Sequence, residues 1–155
     1  MASPIHTVRD EFSLINTLIE LMKQEQRLLV AADTDGLTAV TAQKSQLVAQ
    51  MAALSKTRHD QLAQAGFAAE DASMDGWLAR DGDKDAASLW QDLLAATRQA
   101  KELNRVNGML ISKQLNNTHT LINAMRAPAG AADAGVYGPS GQTSSSQPSR
   151  RFVVG

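Results

Sequence analysis

AASLWQDLLAATRQAKELNRVNGMLISKQLNNTHTLINAMRA, residues 86–127, decides the fold. The stretch holds no proline and one glycine, and is rich in Ala, Leu, Gln, Lys and Arg. Those residues lose little freedom in a helix. Apolar residues recur at Leu89, Leu93, Ala96, Ala100 and Leu103, then at Leu110, Leu121 and Met125. Steps of three, four and their sums mark one helix face. Unbroken, the stretch is a helix of roughly 60 Å at about 1.5 Å per residue. A rod of that length needs other long helices beside it.

Its middle, Asn104 to Ile111, contains Asn107-Gly108. Asn-Gly is a turn signal, and one reading breaks the rod here into a helical hairpin. The other keeps it continuous, with Gly108 letting a neighbouring backbone come close at about 1 kcal/mol of helix propensity. No loop of useful length is written around the pair, which favours continuity.

Working outward, two more long helices precede the rod. Ser3-Pro4 reads as a helix start, with Ser3 capping and Pro4 in the first turn. The first helix, about 4–32, carries a wide stripe of Val8, Phe12, Ile15, Ile19, Met22 and Leu29, flanked by Leu14, Leu18, Leu21 and Leu28. Glu20, Lys23, Glu25 and Arg27 are expected on its solvated side. Asp33-Thr34-Asp35-Gly36 is a tight corner; its acids lack the later ligands of a calcium loop. The second helix, about 37–65, places Leu37, Val40, Leu47, Met51, Leu54 and Leu62 on its stripe and ends at Gly66. Lys44 and Arg58 share that seam and are expected to lay their stems on it with the charge in water. The short corner makes the two helices antiparallel neighbours. An acidic connector, 67–85, follows, with a short helix at about 74–80 in which Trp77 covers one end of the core. The basic residues of the last helix are expected to complement this connector.

After Arg126 the chain turns to Gly, Ala, Ser and Pro. Such a composition cannot bury enough apolar surface to order itself. The expected organisation is therefore a helical domain, 1–127, and a flexible tail, 128–155. The fold class is all-α: an elongated antiparallel bundle of three to four helices, with long coiled-coil-like members.

Composition narrows the function. Of the 155 residues, 43% are hydrophobic but only 4% aromatic, so Leu, Ala, Met, Val and Ile must pack the core. A net charge of −1 offers no bulk attraction for nucleic acid or an anionic membrane. Without cysteine there is no disulfide, thiol nucleophile or zinc-thiolate site. His6, His59 and His119 form no helical-turn pair and no HExxH, and no phosphate loop or nucleophile elbow appears. No metal, cofactor or enzymatic role is expected. Neither a signal peptide nor an apolar run of membrane-spanning length is visible, so a soluble cytoplasmic protein is expected.

The motifs carry a family resemblance. Leu18, Ile19, Leu21, Met22, Glu25, Leu28 and Leu29 lead, followed by Leu37, Val40, Lys44, Leu47, Arg58 and Leu62. Trp90, Leu93 and Leu94 precede Asn104, Asn107, Gly108, Leu110 and Ile111, and the tail holds Tyr137-Gly138-Pro139-Ser140-Gly141-Gln142. Over about residues 10–126 and part of the tail the chain resembles the FlgN family of flagellar type III export chaperones. Asn-x-x-Asn-Gly-x-Leu-Ile and Tyr-Gly-Pro-x-Gly-Gln are its more specific marks. The resemblance implies a bacterial cytoplasmic chaperone that binds the carboxy-terminal helical segments of the two hook-filament junction proteins before export. It also implies docking of the tail, at Tyr137, Gly138 and Pro139, on the cytoplasmic domain of the export gate, with the membrane reached only through the export apparatus.

A client helix wants apolar anchors at helical spacing on its host. Val106, Leu110, Ile111, Leu115, Leu121, Ile122 and Met125 offer more apolar surface than one internal seam needs. Asn107 and Gly108 are expected to mark register and permit close approach in the same client-binding face. The competing expectation is a structural bundle that homo-oligomerises through this surplus, or an adaptor without an export role.

Overall fold

A computed structural model describes residues 2–126, which form four helices: α1 (Pro4–Ala31), α2 (Thr34–Gln64), α3 (Ser73–Asp81) and α4 (Lys84–Arg126). The described residues are all-α. The expected tail, 128–155, with Tyr137, Gly138 and Pro139, lies outside them. The described residues fall into two units that divide between Gln114 and Leu115, inside α4.

Local chemistry sets the helix ends. The Ser3 hydroxyl accepts from the Ile5 amide at 3.4 Å and Pro4 opens α1. Asp33 caps α2, its carboxylate accepting from the Gly36 amide at 2.9 Å. The helix therefore begins at Thr34 rather than Leu37: the corner is shorter than its sequence suggests because Asp35 and Gly36 belong to the first turn. Gly66 follows the end of α2 with φ +90°, a conformation natural to glycine. α4 passes through Asn107-Gly108 without a break. The other helix ends fall within two residues of the extents their sequence predicts.

In the first unit α1, α2 and α4 run up, down and up. α1 and α2 are the close antiparallel pair. α4 stands further off. The core joins Val8, Ile15, Leu18, Ile19 and Met22 of α1 with Leu62 of α2, Met74 and Trp77 of α3, and Trp90, Leu93, Ala96 and Ala100 of α4. Trp77 is buried as expected, at the end where α3 docks.

Charged positions on the seam between α1 and α2 differ from expectation. Arg58 does not keep its guanidinium in water: it is 3% exposed. Its Nε donates to Glu11 at 2.8 Å and its Nη1 to Asp71 at 2.8 Å, while the group lies 4.9 Å from the Trp90 ring centroid. Glu25, expected on the solvated side, is equally buried and takes Lys44 at 3.1 Å. The reason is register. Glu11 and Glu25 stand two heptads apart on α1, as do Lys44 and Arg58 on α2, so each carboxylate meets a cation across the antiparallel seam. Either partner alone would be a costly buried charge. The acidic connector also finds its complement on α2, not α4: Asp71 holds Arg58 and His59, the latter at 2.7 Å.

Candidate functional site

The stripe of α4 changes character along its length. Ala86, Trp90, Leu93, Ala96, Ala100 and Asn107 are buried; beyond Asn107 no residue of the helix is. The periodic apolar pattern continues, but its members lack cover. Within the first unit Val106 and Leu110 are half-buried, Met109 is 60% exposed and Ile111 41%. In the second unit every described residue is exposed, including Leu115, Leu121, Ile122 and, at 77%, Met125. Single exposed hydrophobics are ordinary; a succession of them on one helix is the feature that calls for an explanation.

Asn107 is placed differently from its neighbours in the expected set. It points inward and is 1% exposed. Its Nδ2 donates to the Met22 carbonyl at 2.9 Å and to Glu25 Oε1 at 2.7 Å. Its Oδ1 finds no partner in the buried network. Gly108, next to it, is exposed, and a Cβ built there meets nothing within 4 Å. The close backbone approach expected at this glycine is not made among the described residues.

Glu25 is the hub that sequence reasoning missed. It gathers Lys44 from α2 and Asn107 from α4, and Lys44 reaches on to Asn104 Oδ1 at 2.7 Å. Gln114, further along, donates to the Leu29 carbonyl. Three helices are thus tied by polar groups at one level of the bundle. The signal was present: Glu25 stands three residues after Met22 and four before Leu29, on the apolar stripe itself. Met109 is also exposed but lies on the side of α4 away from the stripe, where the Arg105 guanidinium is 3.0 Å from its sulfur.

Electrostatics at the opposite level centre on Arg58. Burial pulls its pKa down, but its bonds to Glu11 and Asp71 outweigh that and hold it above the ordinary arginine value. Asp71 has the mirror balance: burial raises its pKa, and the bonds from His59 and Arg58 bring it below the ordinary carboxylate value. Both shifts keep the network charged, which serves the seam between α1, α2 and the connector. No cluster of acidic and histidine side chains able to hold a metal occurs among the described residues. No described helix is long and apolar enough to cross a membrane.

Fold and site define an all-α protein whose unused surface is the flank of a long helix, a form suited to holding another helix. The family model described as FlgN protein matches residues 1–145, and the chain belongs to the FlgN family, which comprises flagellar export chaperones and not enzymes. The Flagella synthesis protein FlgN of Salmonella typhimurium is 27% identical over 135 residues, covering 85% of this chain and 84% of that protein. The protein of the same name from Escherichia coli is 26% identical over 140 residues, 88% of each chain. No solved structure matches the chain significantly.

Proposed function

We propose that this protein holds the carboxy-terminal helical segments of hook-filament junction proteins in the cytoplasm, prevents their premature assembly and delivers them to the export gate. The observation that carries the reading is the set of uncovered apolar side chains on α4 that continue its buried stripe: Ile111, Leu115, Leu121, Ile122 and Met125. An amphipathic client helix would cover them as anchors at helical spacing, and Met125 would adapt to imperfect shapes. Val106 and Leu110 stand at the edge of this surface. Asn107 supports it from beneath by fixing α4 to α1, and Gly108 leaves room for a client backbone. Membership of the FlgN family supports the chaperone role. Delivery is assigned to Tyr137, Gly138 and Pro139 on the strength of their motif, as a contact with the cytoplasmic domain of the export gate.

The test uses the full chain and the carboxy-terminal helical segment of a junction protein, mixed and run on size exclusion with light scattering. A defined heterocomplex is expected. Ile111→Asp and Leu121→Asp alter exposed residues, so each should leave the helical circular dichroism intact and weaken binding by about ten-fold or more. A chain that is oligomeric by itself and indifferent to the segment would favour a self-assembling bundle instead. Tyr137→Ala should retain the client and lose the gate domain in pull-down.

A further inference from the structure

We infer that the groove between α2 and α4 is a vacant helix position, and that its occupant is an amphipathic helix with an acidic edge. The inference rests on the reading that this chain holds helices, but places a contact away from the exposed apolar run of α4. The groove has a volume of about 250 Å³ and lies wholly within the first unit. Leu18 and Met22 of α1 form its floor; Val48 and Met51 of α2 and Ala100 of α4 form its walls. Val48 is 49% exposed, a β-branched apolar residue with no cover on a helix that buries nothing fully between Val40 and Arg58.

The charges choose the occupant. Lys44, at one end, is already engaged by Glu25 and Asn104. Lys101 lines the groove on the α4 side, and Arg98 precedes it by one helical turn. Both are exposed, and neither has an ion-pair partner among the described residues, whereas Arg105 is matched by Glu102 at 2.6 Å. A helix lying here with Leu or Met against the floor would set its α4-facing edge beside Lys101 and Arg98, where Asp or Glu is favoured. A second copy of this chain fits poorly. Its uncovered apolar segment, 115–125, is flanked by Lys113 and Arg126 and contains no Asp or Glu, so it would bring like charge to the rim.

Two designed amphipathic peptides serve as probes, identical except that one carries Glu and its twin Lys along the same edge. Their binding to the full chain is followed by fluorescence anisotropy, beside the junction-protein segment. The Glu peptide should bind at least ten-fold tighter than its twin and lose affinity as salt rises. Lys101→Glu should reverse that preference, and Val48→Trp, which fills the groove from an exposed position, should weaken the Glu peptide at least ten-fold with unchanged circular dichroism. Equal binding of the twins, or indifference to both substitutions, overturns the inference, as does self-association that Val48→Trp abolishes. Loss of junction-segment binding with these peptide results intact would instead sink the client assignment and leave the groove standing.

Discussion

The two ends of α4 are written in the same alphabet and used in opposite ways. From Ala86 to Asn107 its stripe is enclosed by α1, α2 and α3; from Leu115 to Arg126 nothing on it is buried. Period alone does not distinguish them, since both halves carry apolar residues at helical spacing. The difference is the presence of neighbours. A helix draws most of its stability from packing its apolar face, so the proximal half is held by tertiary contact and the distal half leaves the same kind of face uncovered.

Paired truncations break or confirm that contrast with the largest effect. Trp90→Ala removes a buried ring from the core and from beneath Arg58, and should cost about 3–5 kcal/mol. Leu121→Ala, on the exposed half, should stay within about 0.5 kcal/mol. Urea unfolding of the two variants measures both. A Leu121 variant as damaged as the Trp90 variant would mean that the distal face is already covered.

The boundary between the halves can be probed next. Asn107 is the last buried residue of α4 and the one that ties it to Met22 and Glu25. Asn107→Ala deletes two donors from a buried network, and a cost of about 1–3 kcal/mol is expected. Asn117→Ala, exposed in the distal half, is the control and should be close to neutral. If Asn107→Ala were equally neutral, the polar tie would not hold α4 to α1.

What could be read from the sequence follows the range of the forces involved. Ser3-Pro4 and Gly66 act within a few residues, and the helix ends they signal are where they should be. The continuity of α4 was legible because the residues around Asn107-Gly108 supply no loop. The surplus of apolar residues after Asn107 was legible as a count against one seam. Glu11, Glu25, Lys44 and Arg58 were not. Whether a charge on a stripe is solvated or buried depends on the residue that faces it from another helix, and that requires the register of α1 against α2. The inward turn of Asn107 failed for the same reason: its partners are on α1, 82 residues from it at Glu25.

Gly108 gives the smallest effect and separates the free chain from the loaded one. In the free chain it is exposed mid-helix glycine, and the methyl of Gly108→Ala enters open space. The substitution removes backbone freedom from the unfolded state and improves helix propensity, so a gain of about 1 kcal/mol is expected in urea unfolding. A bundle that needed this glycine for its own packing would lose stability instead. Binding then reads the other side. If a held helix brings its backbone against Gly108, the same methyl meets it, and the stabilised variant should bind the junction-protein segment more weakly than wild type. Unchanged affinity would place the client on the flanking side chains, Ile111 and the apolar residues after it, and leave Gly108 outside the contact.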